Sequence, residues 1–187
     1  KYKVILASNS PRRKELLSGL GICYEVKTLP GIEESYPDTL SGEEIPVFIA
    51  CEKADAYRQT MHSDELIITA DTIVWLDGLV MGKPEDEEDA RRMLRCLSGK
   101  THQVITGVCL TTTEFQKSFA TVTDVTFAEL TEEEIDYYVQ KYKPMDKAGS
   151  YGIQEWIGFV GVEGITGSYF NVMGLPIQRL YKELKKL

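Results

Sequence analysis

The chain has 187 residues, 43% of them hydrophobic, and a formal net charge of -8. That length buries a sizeable core and suggests one domain over residues 1–187, with room for two lobes. The composition excludes a disordered chain, the apolar runs fall short of the about 18 residues of a membrane span, and the acidic balance excludes sequence-independent DNA or RNA binding.

Val4-Ile5-Leu6-Ala7 reads as a buried strand with no secretory h-region or cleavage site. Ser8-Asn9-Ser10-Pro11-Arg12-Arg13 follows, and then Lys14 to Leu20, with Leu16, Leu17 and Leu20 on one helical face. Ser10 suits an N-cap, Pro11 the first helical position and Gly21 the exit. Two hydroxyls and two guanidiniums therefore gather at a strand-to-helix turn. Amides at a helix N-terminus attract anions, and arginine forks match phosphate. The segment reads as a polyphosphate cradle; as ordinary structure it would be a capped helix with two solvated arginines.

Ile22 to Val26 reads as a second strand, and Gly31 to Pro37 as an acidic loop carrying Glu33 and Glu34. Ser41-Gly42-Glu43-Glu44 has the form of a capping box and opens a helix through about Gln59, with Pro46 in its first turn. Lys53 lies on that helix in apolar surroundings, where a lysine turns inward to an anion or snorkels to solvent. Leu66 to Ala70 is a buried strand expected to end at Asp71. A carboxylate at the carboxyl end of such a strand can hold a divalent cation, accept a proton from water, or cap a turn.

Thr72 to Leu76 and Leu79 to Met81 flank Asp77-Gly78, a strong hairpin signal. Lys83 precedes Pro84, which is read as opening a helix through Leu97 stopped by Gly99. Val104 to Thr112 and Phe119 to Phe127 read as strands, and Thr131-Glu132-Glu133-Glu134 as a second capping box. Asp146 to Gln154 is turn-rich, Ser168 to Met173 reads as a last strand, and Pro176 to Leu187 as a closing helix. This order fits an α/β fold, a mixed twisted sheet with flanking helices.

Cys23, Cys51, Cys96 and Cys109 form no C-x-x-C pair, and free thiols in a reducing cytoplasm are expected. His62 and His102 are far apart, which disfavours a zinc site or a Ser-His-Asp triad.

Taken together, the blocks resemble the Maf family of nucleoside triphosphate pyrophosphatases. They are Leu6 to Arg13, Glu52-Lys53-Ala54, Ala70 to Val74, Gly82-Lys83-Pro84, Leu97-Ser98-Gly99, His102 to Val108, Pro144 to Gly149, Tyr151 to Gln154 and Gly167 to Pro176, spanning the chain in the family's order. The resemblance implies two lobes around a cleft, in a fold shared with inosine triphosphate pyrophosphatases. It implies cleavage between the α- and β-phosphates to a nucleoside monophosphate and pyrophosphate, with a divalent metal, Mg²⁺ or Mn²⁺. On the same ground Asp71 is the expected proton acceptor. Ser8, Arg12, Arg13, Lys53 and Lys83 are expected at the phosphates, with Ser10 completing the cradle, and Asp71 and Glu34 at the metal. Arg12, Thr72 and Gln154 fall on the positions tied to base selection, and their pattern resembles the branch acting on dTTP and UTP. The alternatives are the branch acting on 7-methyl-GTP, and a nucleotide-binding or cell-division interaction protein without turnover. The expected partner is the nucleoside triphosphate, with no nucleic acid polymer and no membrane; a homodimer is an open option. Residues 155–166 match the family pattern only loosely.

Overall fold

Local chemistry sets the first elements. In the computed structural model, which describes residues 1–187, β1 (Lys3–Leu6) leads into α1 (Pro11–Ser18). The Ser10 hydroxyl accepts from the Arg13 amide at 3.3 Å, and Pro11 fills the first helical position, where no amide hydrogen is needed. The second strand shrinks to β2 (Glu25–Val26). Helix α2 (Glu44–Arg58) begins where Ser41 was expected to cap it, but only half of that box forms. The Glu44 carboxylate accepts from the Ser41 amide at 3.0 Å, whereas Ser41 returns its backbone carbonyl rather than its hydroxyl to the Glu44 amide.

Strand β3 (Glu65–Leu76) runs unbroken through the position where a strand end was expected. Its first part pairs in parallel with β1, ending at Leu6 opposite Ile68; its last part pairs antiparallel with β4 (Leu79–Met81). Asp77 and Gly78 both take positive φ, 51° and 82°, the twist a two-residue hairpin requires. Helix α3 (Glu87–Leu97) starts later than Pro84, because the Asp86 side chain accepts from the Asp89 amide and caps it there. Strands β5 (Thr101–Thr111) and β6 (Gln116–Phe127) follow, and then α4 (Glu132–Tyr142), where both halves of the Thr131–Glu134 capping box form.

The turn-rich stretch holds two short 3₁₀ turns, followed by α5 (Trp156–Gly161) and β7 (Val162–Thr166). The final strand is therefore β7, and Ser168 to Met173 is not a strand. It forms α6 (Tyr169–Met173), since the Ser168 hydroxyl accepts from the Asn171 amide and turns the chain. The buried Asn171 amide then donates to the Val104 carbonyl and the Thr123 hydroxyl. Helix α7 (Ile177–Leu184) closes the chain.

The seven strands form one mixed sheet in the order β2-β1-β3-β5-β6-β7, with β4 on β3. The chain divides into two compact units: Lys1–Thr72 with Thr106–Thr121 and Gly174–Leu187, and Ile73–Ile105 with Val122–Met173. Ile5, Leu6, Leu17, Ile45, Ile68 and Leu180 are fully buried in the first, and Leu94, Leu97, Phe127, Ile135 and Tyr138 in the second. No helix is long and apolar enough to cross a membrane.

Candidate active site

The first unit gathers most of the expected residues. Asp71 lies mid-strand in β3 rather than at the strand's end. It nevertheless sits three residues beyond Ile68, the last position that β1 covers, so it stands past the carboxyl edge of the parallel strands. It is 8% exposed. Its Oδ1 is 3.6 Å from the Lys53 ammonium, and its buried Oδ2 has no hydrogen-bond partner. Burial pushes the carboxyl up to about 6, against the pull of Lys53 and then Arg13, with Glu34 adding to the rise.

Lys53 turns inward from α2. Its Nζ donates to the Ala70 carbonyl at 3.0 Å and meets Glu34 Oε2 at 3.1 Å. With Asp71, that makes three acceptors for three donors. The Glu34 side chain is 47% exposed. Its loop is anchored nearby: Ile32 packs on Ile5, Tyr57 and Ile67, and the Tyr57 hydroxyl accepts from the Leu29 amide at 2.9 Å.

At the start of α1 the cradle is partly spent on structure. Ser8 Oγ accepts from the Ser10 amide at 3.1 Å, and Ser10 caps the helix. Arg13 donates from Nε to the Gly174 carbonyl at 2.7 Å and from Nη2 to the Thr72 hydroxyl at 3.0 Å. Burial lowers its pKa, Asp71 opposes that, and the neighbouring Arg12 charge adds to it. Thr72 Oγ1 also lies 2.8 Å from Thr106 Oγ1, so Arg13, Thr72, Thr106 and Gly174 form one knot. Thr106 and Gly174 carried no separate signal in the sequence; both sit inside longer matched blocks, far from Thr72 along the chain.

The second unit holds Lys83 and Gln154. Lys83 is exposed between β4 and α3, next to Gly82, whose carbonyl accepts from the Gly149 amide at 3.1 Å. Gln154 is half-buried in the turn before α5, and its Oε1 is buried with no hydrogen-bond partner. His102 is a core residue: its Nε2 is 2.6 Å from the Tyr151 hydroxyl, and burial lowers it to about 4. No group of three or more His, Cys, Asp or Glu side chains is arranged to hold a metal.

A buried base candidate beside an inward lysine and a half-buried arginine is an arrangement for phosphate chemistry. The chain is 82% identical over 187 residues to a dTTP/UTP pyrophosphatase of Phocaeicola vulgatus, covering 100% of this chain and 97% of that protein. It is 71% identical over the same span to a dTTP/UTP pyrophosphatase of Bacteroides fragilis, again covering 100% and 97%. A HAM1 protein from Coxiella burnetii matches in fold, with a TM-score of 0.54 at 15% identity over the full length of both chains. The family model described as Maf-like protein matches residues 3–187, and with it the Ser8 to Arg13 turn, Lys53, Asp71, Lys83 and Gln154 all fall inside one family pattern. The chain belongs to the Maf-like proteins.

Proposed function

We propose that this chain hydrolyses dTTP and UTP between the α- and β-phosphates, giving the nucleoside monophosphate and pyrophosphate. The observation that carries the reading is the Asp71 carboxylate, buried, raised to about 6 and with Oδ2 unpartnered. A general base works best when its pKa lies near the working pH. Asp71 Oδ2 would take the proton of the water that attacks phosphorus, and pyrophosphate would leave.

Phosphoryl transfer is mostly positioning and charge neutralisation. Arg13 is fixed through Nε and Nη2, so its remaining N–H donors would meet a phosphate without further ordering of the side chain. Lys53 holds the carboxylates in place, and an arriving phosphate would replace its exposed Glu34 partner. Ser8 and Arg12 at the same turn are the further phosphate contacts. Ser10, engaged as the cap, would serve by shaping the turn.

The exposed Glu34 carboxylate, held beside Asp71 by Lys53, fits a Mg²⁺ or Mn²⁺ of the kind held by one or two carboxylates together with substrate phosphates. When bound, that ion would supply charge neutralisation and acidify water. We place the activity in the cytoplasm, where the free cysteines stay reduced.

The test is incubation of the protein with dTTP and UTP plus Mg²⁺, separating pyrophosphate from orthophosphate. Pyrophosphate and a monophosphate are expected, and chelator should stop the reaction. A nucleoside diphosphate with orthophosphate would overturn the reading.

A further inference from the structure

Two cysteines far apart in sequence meet where α2 crosses β5. Cys51 Sγ on α2 lies 3.5 Å from Cys109 Sγ on β5. The two backbones come close because the residues between them are small. Ala50, Ala54 and Cys109 form one buried cluster with Cys51 packed against it. On the same face of β5, two residues before Cys109, a Cβ on Gly107 would meet the Val47 nitrogen at 2.4 Å. Cys109 is fully buried, and its other polar neighbour is the Thr111 hydroxyl at 3.6 Å. Cys51 is only half-buried, so a small oxidant can reach it.

We infer that Cys51 and Cys109 form a dithiol redox site, closed to an intramolecular disulfide by a peroxide. Cys51 is the attacking sulfur. Hydrogen bonding to Cys109 lowers its pKa, with Ser118 helping, while burial, Asp55 and Glu52 oppose the change. Cys109 is held up as the thiol by the same hydrogen bond and by burial. The Cys51 thiolate attacks a peroxide oxygen, the O–O bond breaks, and Cys51 becomes a sulfenic acid, while the departing hydroxide takes up the proton that Cys51 released on ionising and leaves as one water. The Cys109 sulfur then attacks the Cys51 sulfur, the S–O bond breaks, and the hydroxyl leaves with the Cys109 proton as a second water. Two thiols lose two electrons, and hydrogen peroxide is reduced to two waters. Closure shortens the sulfur separation from 3.5 Å to the about 2.05 Å of a disulfide. Lys53 follows Cys51 by two residues on α2, so the draw on the helix acts next to the ammonium that holds Asp71 and Glu34.

The test treats the full-length protein with stoichiometric hydrogen peroxide, then maps non-reduced peptides by mass spectrometry. A Cys51–Cys109 cross-linked peptide is expected, ahead of any product at Cys23 or Cys96. In Cys109→Ser the cross-link should vanish, and Cys51 should be trapped as a sulfenic acid by dimedone. Over-oxidation of wild-type Cys51 with Cys109 still a thiol would overturn the site, as would both remaining reduced while Cys23 reacts. Turnover of dTTP provides a separate readout. It should fall at least several-fold on oxidation and return with dithiothreitol, while Cys51→Ser stays insensitive. A cross-linked protein with unchanged turnover would overturn the link to Lys53 and leave the chemistry at the sulfurs standing on the peptide map.

Discussion

At the scale of single residues, Asp71 combines a cost to stability with a use. Burial raises its pKa from 3.8 to about 6. Between those values the folded chain binds a proton that the unfolded chain has lost, so stability falls as pH rises through the window and levels off above about 6. Two pKa units correspond to about 3 kcal/mol as an upper figure. Asp71→Asn removes the charge with little change in shape. It should raise the melting temperature at pH 8, with little effect at pH 4, and lower kcat by about 10²–10⁴. Thermal scans at the two pH values and single-turnover rates check both halves. In the wild type, kcat/KM for dTTP should fall about tenfold per pH unit below about 6, as the base becomes protonated. Gln154 offers a parallel case. Its Oε1 is buried without a partner, and the ring N–H of thymine or uracil would supply one, whereas cytosine has no hydrogen at that nitrogen. Gln154→Ala should therefore narrow the preference for UTP over CTP more than it lowers the best rate, as measured by kcat/KM for each nucleotide.

Among the elements, the placement of α2 on β5 decides where Lys53 points. A Cβ at position 107 would lie 2.4 Å from the Val47 nitrogen and 2.5 Å from the Pro46 carbonyl carbon, and backbone cannot yield as a side-chain tip can. Gly107→Ala should cost about 2–3 kcal/mol in urea unfolding and lower activity by shifting α2. That contact was invisible in the sequence, where Gly107 is one small residue within an apolar strand. What could be read there were signals that act over a few residues. The Ser10 cap, the Asp77-Gly78 hairpin and the Thr131 capping box all depend on neighbours within four positions. Local pattern fails where distant pairing overrides it. Tyr169 to Met173 is a short, largely apolar and aromatic run like that of a strand, but it is wound into α6 by Ser168 and tied by Asn171 to Val104 and Thr123. The real last strand lies in residues 162–166, whose two exposed central residues, Glu163 and Gly164, give no apolar signal. At the site, local pattern singled out Asp71, Lys53 and Arg13 as candidates, and the resemblance implied their roles. The knot linking Arg13 and Thr72 to Thr106 and Gly174 required the fold.

For the whole molecule, charge and sheet layout matter most. The net charge of -8 coexists with a local cluster of Arg12, Arg13 and Lys53. A small anion can reach such a cluster, but a polynucleotide must also approach a molecule of net negative charge. Excess duplex DNA or RNA at about 0.15 M salt should leave dTTP turnover unchanged. Strong inhibition would reveal a basic track. The two units differ from ordinary modules in their order along the chain. The first is assembled from three separate stretches and the second from two, so the polypeptide passes between them at 72/73, 105/106, 121/122 and 173/174. Three of those passages fall inside β3, β5 and β6. No single cut in the coding sequence releases either unit whole, so recombination cannot trade one between genes as it trades a contiguous module. Lys53 and Asp71 on one side of these passages, and Lys83 and Gln154 on the other, are thereby inherited together.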